Sequence, residues 1–201
     1  MERILAFFGA FNPPTLAHLE LARYALMETG REKVLFVPSK SVYIKDEQGK
    51  DFAFEDGQRY AMLVSAAKSR PWMQVTDWEM KQSRQPRTYD TLCHLKDTGL
   101  DAALLMGSDK LPELEHGWLH VKEIAEEHGI VCLSRSGDDC KRIIRENEFL
   151  SSLSPNIMVL ETPETFQNVS STAVRKRLAM IKNLQQEVRG MVPEEICSLL
   201  L

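Results

Sequence analysis

The chain has 201 residues, 43% of them hydrophobic and 27% charged, with 10 Gly and 9 Pro. That is enough apolar surface to close a core without disulfide or metal staples, and it excludes collagen-like, low-complexity and disordered chains. Twenty-five Lys and Arg against 29 Asp and Glu give a formal net charge of -4, so no global positive field draws the molecule onto nucleic acid or an anionic membrane.

In chain order, short apolar runs alternate with segments of helical period. Ile4–Phe8 reads as a strand, and Leu16–Leu26 as a helix closed by Gly30. Val34–Val37 is a strand stopped by Pro38, and the polar stretch Ser39–Asp51 shows no period and is predicted to be a long loop. Glu55–Ala67 fits a helix, Met73–Thr76 a strand, and Tyr89–Lys96 a helix ended by Gly99. Then follow a buried strand Ala102–Met106, a helix Val121–Glu127, a strand Ile130–Leu133, an amphipathic segment Asp138–Leu150 and a strand Ile157–Leu160. Helices Ser171–Leu178 and Glu194–Leu200 close the chain. The alternation predicts an α/β fold: a doubly wound, mainly parallel, Rossmann-like sheet of five to six strands with helices on both faces. One domain over residues 1–201 is expected, its C-terminal helical part starting near 165.

The longest apolar runs fall far below the roughly 18 residues that span a bilayer, and the N-terminus lacks the pattern of a signal peptide, so a cytoplasmic location is expected. Cys93, Cys132, Cys140 and Cys197 are scattered, without zinc spacing, and read as small packed thiols.

Four segments could carry chemistry. After the first strand, Gly9-Ala10-Phe11-Asn12-Pro13-Pro14 turns into a helix whose first turn holds Thr15 and His18, three apart and on one face. Free N–H groups and the positive end of the helix dipole suit a phosphate there, although Thr15 as a plain N-cap fits the same pattern. Near the C-terminus, Val169-Ser170-Ser171-Thr172-Ala173-Val174-Arg175-Lys176-Arg177 opens a helix with hydroxyls and follows with three cations. Cations at a helix start oppose the dipole unless an anion neutralises both. Leu104–Asp109 leaves a buried strand through Gly107 to a carboxylate placed to accept from ribose hydroxyls, or simply to cap. Trp118, between Gly117 and Leu119, offers a platform for a flat ring or covers the core.

Taken together, these motifs resemble the nucleotidyltransferase superfamily with the (H/T)-x-G-H signature, and specifically its nicotinate/nicotinamide mononucleotide adenylyltransferases. Gly9–Pro14 is similar to the family's G-G-[ST]-F-[ND]-P-[PI] opening, with Ala10 in place of Gly. Thr15-Leu16-Ala17-His18 stands for the signature, Thr88-Tyr89-Asp90-Thr91-Leu92 for T-x-D-T-L, Gly107-Ser108-Asp109 for G-[AS]-D, and Val169–Arg177 for I-S-S-T-x-[IV]-R-x-R. Ala17 replaces a glycine, and Pro86-Arg87 replaces a Ser-Tyr pair.

The resemblance implies that the phosphate of nicotinate or nicotinamide mononucleotide attacks the α-phosphorus of ATP and releases pyrophosphate, a step of NAD biosynthesis. It assigns His18 and Thr15 to catalysis, and Phe8, Gly9, Ala10, Phe11, Gly107, Asp109, Ser170, Ser171, Thr172, Arg175 and Arg177 to ATP. Lys40 or Lys45, with Lys40 preferred, would meet phosphate; Asn12, Arg87, Thr88 and Trp118 would bind the acceptor. Mg²⁺ would ride on ATP rather than in a protein cage. The expected partners are thus ATP and a pyridine mononucleotide, with no nucleic acid and no membrane, and homo-oligomerisation is left open. Alternatives are transfer to phosphopantetheine or an alcohol phosphate, or a nucleotide-binding regulator without turnover.

Overall fold

A computed structural model of the protein describes residues 1–49, 52–134, 139–162, 170–180, 188 and 190–200, the side chains of 178–180 excepted. Expectations that touch Asp51, Asp138 and Val169 lie outside the described residues at those positions.

Six strands, β1 (Glu2–Gly9), β2 (Lys33–Pro38), β3 (Met73–Val75), β4 (Leu100–Gly107), β5 (Ile130–Ser134) and β6 (Ile157–Glu161), form one sheet in the order β3-β2-β1-β4-β5-β6. Every pairing is parallel. The central strands β1, β2, β4 and β5 carry unbroken apolar runs because both faces are covered there. Along β1, Leu5 and Phe7 join the core on one face, and Ile4 and Ala6 the core on the other. Ile4 and Leu5 are both fully buried, each worth roughly 1.5–3 kcal/mol relative to exposure.

On the first face lie α1 (Leu16–Thr29), α3 (Asp56–Ala67) and the chain's end, where a 3₁₀ helix spans Glu194–Leu199. On the second lie α5 (Thr88–Asp97), the one-turn α6 (Leu114–Gly117), α7 (Val121–Glu127), α8 (Cys140–Glu146) and α9 (Glu148–Leu153). Gly30 ends α1 in the left-handed region at φ 60°, its N–H returning to the Leu26 carbonyl. Cys132 and Cys140 are buried, Cys93 and Cys197 partly so.

Three expectations need correction. The stretch Ser39–Asp51 contains a helix, α2 (Ser41–Asp46), where only a loop was expected. Its cap comes from tertiary structure: the Ser41 N–H donates to Asp56 Oδ1 at 2.6 Å, while Ile44 is fully buried. A one-turn helix, α4 (Trp78–Lys81), follows β3 and was not foreseen. The amphipathic stretch up to Leu150 divides into α8 and α9, because Asn147 caps a new helix by accepting from the Leu150 N–H at 2.8 Å.

Strand order reverses between β1 and β4, and in open α/β sheets ligands bind at such a switch, beyond the strands' carboxyl ends. Phe7 pairs with Leu105, so the strand ends Gly9 and Gly107 emerge side by side at that point.

Candidate active site

At the end of β1 the chain turns through Phe11, whose φ of 42° is unusual for a side-chain-bearing residue. The ring explains why the strain is held. It is 2% exposed and packs against Phe7, Phe36 and His18, with centroids 5.2–5.4 Å apart. A Cβ on Gly9 would sit 3.0 Å from that ring, so the ring would have to give way for any larger residue.

Thr15 is the fully buried N-cap of α1, and its hydroxyl accepts from the His18 N–H at 3.4 Å. His18 answers it, since the Thr15 N–H donates to Nδ1 at 3.0 Å and the Thr15 hydroxyl lies 2.7 Å from the same nitrogen. A backbone N–H can only donate, so Nδ1 is an acceptor and the neutral ring carries its proton on Nε2. No acidic residue occupies the first turn of α1, which leaves the positive helix end uncancelled.

The second helix start is docked onto the first. In α10 (Ser171–Met180), the Ser171 hydroxyl donates to the Pro13 carbonyl at 2.8 Å. Arg175 Nη1 donates to the Asn12 carbonyl at 2.7 Å, and its Nη2 to Thr172 Oγ1 at 3.1 Å. Ser170 caps the helix by accepting from the Ala173 N–H, and Arg177 reaches Met191 Sδ. The Met191 carbonyl accepts the Leu16 N–H at 2.9 Å, tying the chain's end to the start of α1. Burial lowers the pKa of Arg175 from its ordinary value. The first turn of α10 also lacks acidic residues. The starts of α1 and α10 and the guanidinium of Arg175 therefore meet at the Asn12–Pro13 loop.

Across the switch point, Gly107 leads into a 3₁₀ helix, Ser108–Glu113, with Asp109 exposed at its first turn. A Cβ on Gly107 would lie 2.6 Å from Asp109 Oδ1, so the carboxylate occupies the space a side chain would take. Trp118 is half-buried against the second core. Arg87 is exposed just before α5, where its N–H donates to Asp90 Oδ2, and Thr88 begins the helix.

Asn12, Lys40 and Lys45 are likewise engaged inside the protein. The Asn12 amide donates to the Phe52 carbonyl at 2.8 Å and accepts the Phe54 N–H at 2.9 Å, with 1% of the residue exposed. Lys40 Nζ donates to the carbonyls of Met80 and Gln82, while Lys45 pairs with Glu55 at 3.5 Å.

The sequence reading missed Arg59, the largest fully buried side chain. Its guanidinium donates to the carbonyls of Ala10, Ser39 and Phe54, and it pairs with Asp56 at 2.6 Å. It thereby ties the loops after β1 and β2 together. A signal was present: Arg59, Met62, Leu63 and Ala66 share one helical stripe, an arginine in an otherwise apolar row.

The family model described as Cytidylyltransferase-like matches residues 6–177. The chain belongs to that family. Like its fellow members it is a nucleotidyltransferase, and the motif order read from the sequence runs through the matched span. It is 31% identical over 195 residues, 96% of this chain and 95% of the relative, to a protein of Caldicellulosiruptor bescii named "Probable nicotinate-nucleotide adenylyltransferase". A Clostridium botulinum protein of the same name is 29% identical over 201 residues, covering 100% of this chain and 96% of the relative. In fold the nucleotidyltransferase matches a Plasmodium falciparum nicotinic acid mononucleotide adenylyltransferase solved with NaAD, at TM-score 0.74 and 17% identity, over 100% of this chain and 95% of the other. Among the described residues no helix is long and apolar enough to cross a membrane.

Proposed function

We propose that this nucleotidyltransferase joins the AMP part of ATP to nicotinate or nicotinamide mononucleotide and releases pyrophosphate, as a step of NAD biosynthesis. The observation that carries the reading is the docking of α10 on the loop before α1, through Ser171 on Pro13 and Arg175 on Asn12. That docking gives one triphosphate two helix starts to bridge, and the relatives' names supply the acceptor.

An oxygen of the acceptor phosphate attacks the α-phosphorus of ATP while the bond to the bridging oxygen of pyrophosphate breaks. The products are a dinucleotide and pyrophosphate, with no covalent enzyme intermediate. Such a reaction needs positioning and charge neutralisation more than covalent help. His18, held by Thr15, would donate its Nε2–H to an α-phosphate oxygen as charge builds. Ser170, Ser171, Thr172, Arg175 and Arg177 would hold the β- and γ-phosphates, and Arg177 would exchange Met191 for a phosphate oxygen. Asp109 would accept from the adenosine ribose, with Gly107 letting the backbone approach and Phe8, Gly9, Ala10 and Phe11 forming the floor.

Mg²⁺ would enter as part of MgATP. The acceptor would lie against Trp118, Arg87 and Thr88. Asn12 would serve it by shaping the loop, and Lys40 would reach a phosphate only by leaving two carbonyls. One domain over the whole chain, with the C-terminal helical part as its phosphate arm, fits this division of labour.

The test is incubation of purified protein with MgATP and, separately, nicotinate mononucleotide, nicotinamide mononucleotide, phosphopantetheine and an alcohol phosphate, measuring pyrophosphate. Release with a pyridine mononucleotide is the expected result. Release only with another acceptor, or ATP binding without any turnover, would overturn the reading.

A further inference from the structure

Behind the proposed acceptor side lies a buried polar network that the reaction described so far does not use. Glu79, on α4, is 2% exposed. Its Oε1 accepts the Thr91 hydroxyl of α5 at 2.6 Å, and its Oε2 accepts the Gln85 amide. The amide cannot turn over, because Gln85 Oε1 is already taken by the Lys40 N–H at 2.8 Å. Lys40 then closes the loop from the other side, its ammonium holding the carbonyls of Met80 and Gln82. Four segments are thus pinned to one another: the end of β2, α4, residues 82–87 and the first turn of α5.

We propose that Glu79 is a positioning residue for the acceptor, fixing through Gln85 and Thr91 where residues 82–87 deliver Arg87 and Thr88. The proposal rests on the reading that a pyridine mononucleotide lies against the start of α5. Burying a carboxyl among apolar residues costs several kcal/mol unless it repays that cost through hydrogen bonds. Here the partners are the two residues that flank Arg87 and Thr88, so the acceptor-facing backbone inherits their geometry.

Burial raises the Glu79 pKa to about 7 against the pull of its two donors. Once protonated, Oε1 would donate to Thr91, and the Thr91 hydroxyl hydrogen would turn to the Arg87 carbonyl 3.4 Å away. Protonation thereby reaches the residue that begins the acceptor-facing turn. Other titratable groups on these segments are Lys40, Asp77 before α4 and Lys81 on it, Arg84 and Arg87 in residues 82–87, and Asp90 and His94 of α5, the ring of His94 stacking on Trp78 at 4.3 Å.

The experiment measures KM for each substrate separately in wild type, Glu79→Gln, Thr91→Val and Thr91→Ser. We expect Glu79→Gln and Thr91→Val to raise the acceptor KM on the order of 10-fold, with kcat and the ATP KM within about 2-fold, and Thr91→Ser to restore it. The wild-type acceptor KM should also change between about pH 6 and 8 by more than it does in Glu79→Gln, where only the acceptor's own phosphate, with a second pKa of about 6, still titrates. A merely structural role would lower the melting temperature or the active fraction and leave the acceptor KM alone. An acceptor KM unchanged in both Thr91→Val and Glu79→Gln, or an ATP KM rising in parallel, overturns the proposal. Should Glu79→Gln fail to fold, the two Thr91 variants decide alone. Wild type that turns over no pyridine mononucleotide overturns the underlying reading and this proposal with it, whereas an active wild type with unmoved acceptor KM values overturns only the proposal.

Discussion

Arg175 Nη1 and the Asn12 carbonyl oxygen stand 2.7 Å apart although 163 positions separate the residues. This guanidinium docks α10 through Nη1, while its Nη2 donates to Thr172 Oγ1 at 3.1 Å. Arg175→Lys keeps the charge and loses the fork. We expect its ATP KM to rise about 10-fold and Arg175→Ala to raise it further, with about 1 kcal/mol of stability lost for the docking bond. Substrate-dependence curves and urea unfolding check both; an unchanged ATP KM would remove Arg175 from the triphosphate.

The Thr15 N–H on His18 Nδ1 fixes the neutral ring's tautomer as well as its orientation. Nitrogen-15 NMR of the imidazole should show the Nε2–H tautomer in the neutral ring. His18→Ala should cost on the order of 10²-fold in kcat with ATP affinity much less changed, the scale of one lost transition-state donor. Thr15→Val keeps the backbone donor and loses the cap, so we expect about 1 kcal/mol of destabilisation and a smaller fall in kcat.

Gly107→Ala tests the ribose side. The new methyl would sit 2.6 Å from Asp109 Oδ1 and must displace that exposed carboxylate. The ATP KM should rise by on the order of 10-fold while the melting temperature changes little, since the displaced group is an exposed side chain rather than backbone. An unchanged ATP KM would detach Asp109 from the nucleotide.

Glu79 also makes stability depend on pH. Its folded-state pKa is about 7 against an ordinary 4.5, so the native state holds the proton more tightly than the unfolded chain. Its contribution is fully present below about pH 4.5, declines as pH rises and is gone above about pH 7. Urea midpoints should therefore fall across that window in wild type relative to Glu79→Gln. A wild-type midpoint that rises there relative to the variant would reverse the sign.

What could be read in the sequence and what could not divide along physical lines. The central strands were legible because a strand buried on both faces must be apolar throughout, as Ala102–Met106 is. Helix α1 was legible from its spacing and from Gly30. Helix α2 was not, since its cap is Asp56, fifteen positions away, and its burial rests on Ile44. The two helix starts announced themselves through hydroxyls and cations placed against a dipole. The engagement of Asn12 with Phe52 and Phe54, and of Lys40 with Met80 and Gln82, left no local pattern, because backbone carbonyls and N–H groups look alike at every position. Arg59 and Glu79 were hidden for the same reason: a charged residue in a helix looks like a solvated one until its partners are placed around it.

The most direct test is a crystal structure of the protein with a non-hydrolysable MgATP analogue. The triphosphate should span the gap between His18 Nε2 and the Ser170–Ser171–Arg175 group, with the ribose at Asp109. A nucleotide that touches only one of the two helix starts, or binds elsewhere on the sheet, would contradict the shared site.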